Sequence, residues 1–162
     1  MPSDGQAFAG DIMAQQTTDL PPSEDDWQAI RGATEAASTA LQITNDNAET
    51  IQEKIQAMAD GVANGTIDNP LGEDVAVALG ALWGEQICAA YRWEWIVPVH
   101  GDWRGLGVAD KERKYLALPF DLFSRIIDEK DEETPGPHVR WNAIGANHLP
   151  QSSPGMYTII TS

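Results

Sequence analysis

The polar residues whose types and spacing best suit chemistry are His100 and Asp102, two positions apart at a turn signal, together with Glu85 from the preceding helical segment. A histidine and two carboxylates in one site can transfer protons as general acid and base. These residues define one hypothesis, a small enzyme that uses Glu85, His100 and Asp102. Polar side chains are common at turns for structural reasons, and no other feature supports a reaction, so we expect no catalytic residue.

The other sequence templates for catalytic and metal sites are missing. His100, His138 and His148 stand in separate loop-like contexts without the HxxxH spacing of a helical zinc site. Neither a glycine-rich phosphate loop nor a GxSxG nucleophile turn occurs. Cys88 is the single cysteine, which excludes a disulfide within the chain, and its place in a helical stripe predicts a buried, small hydrophobic residue. The sequence therefore predicts no bound metal and no cofactor.

The charge balance restricts the possible partners more strongly than any motif does. The chain has 25 acidic and 10 basic residues, a formal net charge of -15 and a pI near 4.3. Such a field repels polyanions, so we expect neither nucleic acid nor an anionic membrane as a partner. Residues 1–70 hold 12 acidic and 2 basic residues, whereas residues 71–162 hold 13 and 8. The field therefore favours a basic partner, or serves solubility alone.

One predicted helix of the acidic half carries its polar residues on a common face, at positions Glu49, Glu53, Gln56 and Asp60. This face has two interpretations, a solvated surface or an acidic docking stripe for a basic protein. The acidic run Asp128–Glu133 is a second candidate for docking. Trp103, beside Arg104 at a turn, is the tryptophan that we expect to be exposed, and exposed aromatic residues next to charge anchor protein interfaces. A platform for carbohydrate or a small ligand is the competing use of Trp103. The predicted partner-binding residues are Glu49, Glu53, Asp60, Asp102 and Trp103.

The most apolar stretch of the chain, residues 75–99, predicts the centre of the fold. Its first part has apolar residues at steps of three and four, as one face of a helix does: Val75, Leu79, Leu82, Trp83 and Ile87. Its second part alternates, with Trp93, Trp95, Val97 and Val99 on one side, as in a half-buried strand. Gly80 and Gly84 lie four apart within the helix, which predicts a close approach to its backbone.

Cap and turn residues predict the remaining elements. Ser23 and Asp26 predict the start of a first helix, Asp46 or Asn47 the start of a second, and Gly65 its end. Asn69-Pro70 predicts the start of the central helix. After a turn at residues 100–103, we expect strands at 105–109 and 115–118 and a short helix at 120–127. Further on, the sequence predicts a helical turn at 139–144 and either an edge strand or a loose segment at 157–160.

The predicted fold class is α+β, with N-terminal helices packed against a small antiparallel sheet of three or four strands and a further short helix. We expect residues 1–22 to be a flexible arm and residues 23–162 a single domain, helical over 23–91 and sheet-containing over 92–162. The N-terminus lacks the features of a secretory signal, and no apolar run reaches the ~20 residues of a membrane span. We therefore expect a cytoplasmic protein, or the mature form of a longer one.

A set of glycine and hydrophobic positions resembles a known bacterial family. The set consists of Leu79-Gly80, Leu82, Gly84-Glu85, Trp95 at the start of a strand, a glycine-bearing hairpin, and Pro119 before an isoleucine-rich helix. Over about residues 70–130 it is similar to the family called domain of unknown function 3806. The resemblance implies a bacterial origin and a helix-plus-sheet arrangement. The family has no established reaction, so it implies no catalytic residue.

Three functions remain open from the sequence. The first is a non-enzymatic, acidic binding protein, specifically an immunity protein that neutralises a bacterial toxin by covering its basic surface. The second is an accessory or structural domain of a larger system. The third is the small enzyme based on Glu85, His100 and Asp102.

Overall fold

The computed structural model describes residues 16–162 of the chain. Its helices are α1 (Glu24–Ala40), α2 (Ala48–Asn64), α3 (Val75–Tyr91), α4 (Pro119–Ile127) and α5 (Pro137–Gly145). Its strands are β1 (Thr18–Leu20), β2 (Glu94–His100), β3 (Trp103–Arg104), β4 (Gly107–Ala109), β5 (Tyr115–Ala117) and β6 (Thr158–Ile159). The predicted α+β class is confirmed. None of the helices in the described part is long and apolar enough to cross a membrane.

The first two helices begin where local chemistry predicts. The hydroxyl of Ser23 accepts a hydrogen bond from the backbone N–H of Asp26 (3.1 Å), and the Asp26 carboxylate accepts one from the Ser23 N–H (2.9 Å). The Asn47 side chain caps α2 by accepting from the Thr50 N–H at 2.8 Å. Gly65 ends that helix with φ of 68°, a left-handed conformation that glycine adopts without steric cost.

Helix α3 is the centre of the core, and all five residues of its predicted apolar stripe are buried. The predicted start at Asn69-Pro70 is wrong. The Asn69 side chain accepts from the Leu71 N–H and donates to the Gly72 carbonyl, so Pro70 lies in a turn and a short 3₁₀ turn precedes Val75. Helices α1 and α4 pack on α3, and the predicted close approach is present. A Cβ on Gly84 would lie 2.4 Å from the Trp95 ring.

The strands form one mixed sheet in the order β1-β2-β4-β5-β6, with β3 beside the end of β2. The prediction of three or four antiparallel strands is therefore wrong in number, and β6 runs parallel to β5. Residues 18–20, predicted to lie in a flexible arm, pair with Val97–Val99 as β1. The rest of that predicted arm, residues 1–15, lies outside the described residues. Strand β1 is a long-range pairing, which cap and turn signals do not encode.

Both faces of the sheet carry buried apolar residues, rather than one face as the half-buried pattern of β2 predicts. Trp95 faces the helices, where its ring stacks on Phe120 at a centroid distance of 5.8 Å. Ile96 alternates with Trp95 along β2, yet it is 2% exposed and packs with Ala109 and Leu116 on the opposite face. We call this second side of the sheet the outer face. Because the outer face has its own apolar cluster, it is a candidate binding face.

Candidate binding site

The structure does not bring the predicted catalytic residues together. The Glu85 carboxylate accepts a hydrogen bond from the indole N–H of Trp95 (2.8 Å). His100 lies five residues beyond Trp95 on β2, about 16 Å along the strand and on the opposite face. Asp102 lies in the turn after His100, so it is equally remote from Glu85. A site made of these three residues has no geometric support.

The structure also gives no support to a reactive thiol or a metal site in the described part of the chain. Burial, and after it the charges of Glu85 and Glu94, raise the pKa of the Cys88 thiol to about 12. The thiol is therefore protonated at neutral pH, and Cys88 is half-buried rather than fully buried as the sequence predicts. Among residues 16–162, no three histidine, cysteine or acidic side chains are grouped so as to hold a metal ion.

A cleft of about 320 Å³ opens on the outer face of the sheet. Its lining combines apolar, aromatic and a few polar side chains: Thr17, His100, Trp103, Leu116, Leu118, Tyr157 and Ile159. This volume and this composition are typical of small binding pockets. The cleft includes Trp103, one of the predicted binding residues, so we call it the Trp103 cleft.

Short-range contacts fix the rim of the Trp103 cleft. Trp103 pairs with His100 across the β2–β3 turn, which places both side chains on the outer face. The Trp103 ring lies over Gly105, where a Cβ would be 2.8 Å from the ring, and 46% of Trp103 remains exposed as predicted. The hydroxyl of Thr17 and Nδ1 of His100 are hydrogen-bonded at 2.9 Å. The residue just before strand β1 therefore orients the imidazole from the other side.

A group of charged residues and one tyrosine closes the opposite end of the outer face. The Arg113 guanidinium donates to the Asp19 carboxylate (Nε to Oδ2, 2.9 Å) and to the Glu94 carboxylate. The Tyr157 hydroxyl donates to the same Asp19 oxygen. We call these four residues the clamp. Asp19 belongs to β1 and Tyr157 immediately precedes β6, so the clamp joins the two edge strands, and the sheet must curl strongly for them to meet.

The clamp holds its charges in defined states. Burial alone would raise the pKa of Asp19, but hydrogen bonds from Arg113 and Tyr157 outweigh it and hold the pKa below its ordinary value. Burial, then Asp19, raises the pKa of Tyr157 to about 12. Two carboxylates and one guanidinium leave the clamp with one net negative charge.

Two members of the clamp have an unusual backbone. Arg113 and Tyr157 have φ of 57° and 49°, in the left-handed region that costs energy for residues other than glycine. The Tyr157 N–H donates to the Arg113 carbonyl at 2.8 Å, so the two conformations support each other. No sequence pattern predicts the left-handed backbone at these two residues. Asp19 and Arg113 were therefore missed, and Tyr157 was noted only as part of an edge strand.

The three acidic residues of the α2 face, Glu49, Glu53 and Asp60, are all exposed, and part of this face also contacts helix α5. The Glu49 carboxylate contacts Nε2 of His138 at 2.7 Å, and the Gln56 side chain bonds both to Asp60 and to the backbone N–H of His138. These contacts form because α5 begins at Pro137 and packs across this face.

The two predicted docking segments, the acidic face of α2 and the run Asp128–Glu133, meet in one cleft. Asp60 of α2 lines a second cleft of about 320 Å³ with Asp131 and Glu132 of the predicted acidic run, and with Lys130. Hydrogen bonds, first from the Thr134 hydroxyl and then from the Glu133 N–H, lower the pKa of Asp131. This acidic cleft belongs to the helical side, because α2 packs against α3, α4 and α5. The predicted binding residues thus divide between two sides of the molecule, with Asp102 and Trp103 on the sheet side.

Comparisons with known proteins supply no relative. No family model matches the sequence, no curated protein is significantly similar to it, and no solved structure is significantly similar to its fold. The resemblance to domain of unknown function 3806 stays a prediction.

Proposed function

We propose that this chain is a non-enzymatic binding protein for a basic protein, and specifically an immunity protein that neutralises a bacterial toxin in the cytoplasm. The observation that carries the proposal is the Trp103 cleft, a concave site with an exposed aromatic rim on a chain of net charge -15. The bacterial setting rests on the resemblance to domain of unknown function 3806.

The Trp103 cleft suits the short-range part of binding. Tryptophan is enriched among the residues that contribute most to interface energy, because it buries a large area with few rotatable bonds. Gly105 beneath the ring and the turn at Gly101-Asp102 keep Trp103 on a short, rigid hairpin. Binding of a partner would therefore cost little conformational entropy, because this surface does not have to be ordered first.

The acidic side chains suit the long-range part. Charges that never touch the partner still accelerate encounter with a basic surface, because the field extends over about 10 Å at moderate ionic strength. Glu53 and the acidic cleft on the helical side can act in this way. At low salt the screening length grows, so these charges add to the field of the whole chain that draws in a basic partner.

The test begins with the tagged chain as bait in a lysate of its source cells and identification of the captured protein. Association and dissociation rates of the purified pair are then measured at low and high salt. We expect a basic partner, association that slows with salt, and dissociation at least about tenfold faster for Trp103→Ala.

Val77→Ala is the matched control, since Val77 is an equally exposed apolar residue (47%) on helix α3. It should leave both rates unchanged. An acidic partner, or Trp103→Ala rates equal to those of the parent, would contradict the proposal and favour the accessory-domain alternative.

A further inference from the structure

Building on the proposed function, we propose that the Trp103 cleft receives an arginine side chain of the basic partner. The guanidinium would lie against the aromatic rings of Trp103 and Tyr157, and the methylene stem along Leu118 and Ile159. Aromatic faces attract cations, and the planar guanidinium stacks on them while being only weakly hydrated. Apolar walls with aromatic rings therefore suit the whole arginine side chain, not only its charge.

The charges around the cleft agree with a cationic occupant. No lysine or arginine is among the described residues that line it. Arg104 follows Trp103 but pairs with Val99, which places its side chain on the helical face of the sheet, away from the cleft. Arg113 is engaged by Asp19, Glu94 and the Asp110 carbonyl. The clamp at the far end is thus net negative, and no free guanidinium competes with the incoming one.

The same charges disfavour other occupants. An anionic group would meet the net negative clamp inside a chain of net charge -15. A neutral apolar side chain would fit the walls but would gain nothing from the clamp or from the surrounding field. A basic partner, required by the proposed function, offers arginine and lysine, and the paired aromatic walls favour arginine.

The clamp also explains why the cleft can exist before the partner arrives. Tyr157 is both a wall of the cleft and a member of the clamp, where its hydroxyl is bonded to Asp19. Its ring is therefore oriented from the β1 edge. A wall that is already positioned does not have to be ordered on binding.

The probe for this inference is the blocked pentapeptide Gly-Gly-Arg-Gly-Gly, compared with Gly-Gly-citrulline-Gly-Gly. Citrulline has nearly the shape of arginine but no charge. Both are titrated into the isotope-labelled protein, and amide and indole shifts are followed by NMR. We expect saturable shifts at Trp103, His100 and Tyr157 with the arginine peptide, and affinity at least about tenfold lower with the citrulline peptide.

Three variants sharpen the result. Trp103→Ala should lose the arginine response, Trp103→Phe should retain part of it, and Val77→Ala should retain all of it. Equal affinity for the two peptides, or shifts centred on Asp60 and Asp131 of the acidic cleft, would overturn the inference. Peptide binding at Trp103 without any basic protein in the capture experiment would overturn the proposed function and leave the arginine site standing. Capture of a basic protein, together with equal affinity for the two peptides, would overturn the arginine site and leave the proposed function standing.

Discussion

The indole N–H of Trp95 donates a 2.8 Å hydrogen bond to the carboxylate of Glu85, one position after the glycine over which the same ring lies. Strand β2 is thus joined to helix α3 by a polar contact and by a steric fit side by side. Gly84 is required at this point because any side chain there would occupy the space of the Trp95 ring. Glu85, which the sequence offered as a catalytic carboxylate, serves the core instead.

The fit between Gly84 and Trp95 predicts an unusual response to alanine. Gly84→Ala should lower the free energy of unfolding by about 1–3 kcal/mol, because its Cβ would overlap the ring. Gly32→Ala is the matched control, since Gly32 lies in helix α1 with nothing within 4 Å of the added methyl. That change should raise stability by about 0.5–1 kcal/mol. Urea unfolding of the three proteins decides the matter, and a Gly84→Ala variant as stable as the parent would refute the packing argument.

The pKa of Asp19 predicts a loss of stability in acid. Because the folded-state pKa lies below the ordinary value of 3.8, the carboxylate contributes stability above that pH and loses it as the pH falls through the folded-state value. Asp19→Asn should therefore be less stable than the parent at pH 6, and the difference should shrink as the pH falls below 4. Urea unfolding from pH 6 to pH 2 measures this. A difference independent of pH would show that Asp19 does not act through its charge.

The pKa of Tyr157 predicts a loss of stability in alkali. The value is raised from 10.0 to about 12, so the folded state binds the phenolic proton more tightly than the unfolded state does. The contribution is complete below pH 10 and is lost as the pH rises toward 12. Tyr157→Phe should remove this part of the alkaline dependence. Unfolding free energies at pH 9 and pH 11 provide the check, and identical slopes for both proteins would contradict it.

Glu49 and Glu53, one turn apart on α2, should differ when their charge is reversed. Glu53→Lys should keep the stability within about 0.5 kcal/mol while slowing association with a basic partner and weakening its salt dependence. Glu49→Lys should also destabilise the contact between α2 and α5, since it replaces the acceptor at His138. Thermal unfolding and stopped-flow association separate the two effects. Unchanged association of Glu53→Lys at low salt would show that the acidity serves solubility.

Cys88 should be almost inert in the folded protein. A pKa near 12 leaves far less thiolate at pH 8 than a free cysteine has, so the reaction with a disulfide reagent should be at least about a hundredfold slower. The rate should return to that of a free thiol in concentrated urea. Fast labelling under native conditions would show that helix α3 opens locally or that the thiol is not buried.

The sequence predicts what depends on neighbours along the chain. The caps at Ser23 and Asn47, the stripe on α3 and the exposure of Trp103 follow from local spacing, and all are present. The errors lie where distant segments meet. Nothing near Ile96 indicates that the outer face holds its own buried cluster, and nothing near Glu49 indicates that its carboxylate contacts His138, 89 positions away.

The candidate site follows the same division. Trp103 could be chosen from its turn, because an aromatic residue beside Arg104 in a short hairpin has little to bury it. Tyr157, Thr17 and the clamp could not, since they reach the cleft through contacts of 83 to 138 positions. The left-handed backbone at Arg113 also has no signal in residue type, since arginine does not favour it.

The contact between Tyr157 and Asp19 spans 138 positions and so encloses almost the whole described chain. Bringing such distant segments together costs loop entropy that only a nearly complete fold can offset, so the clamp should form on the native side of the folding transition state. Its hydrogen bonds would then leave the folding rate nearly unchanged and mainly slow unfolding. The contact between the two edges of the curled sheet thereby lowers the unfolding rate. It sets how long a folded molecule persists rather than how quickly one forms.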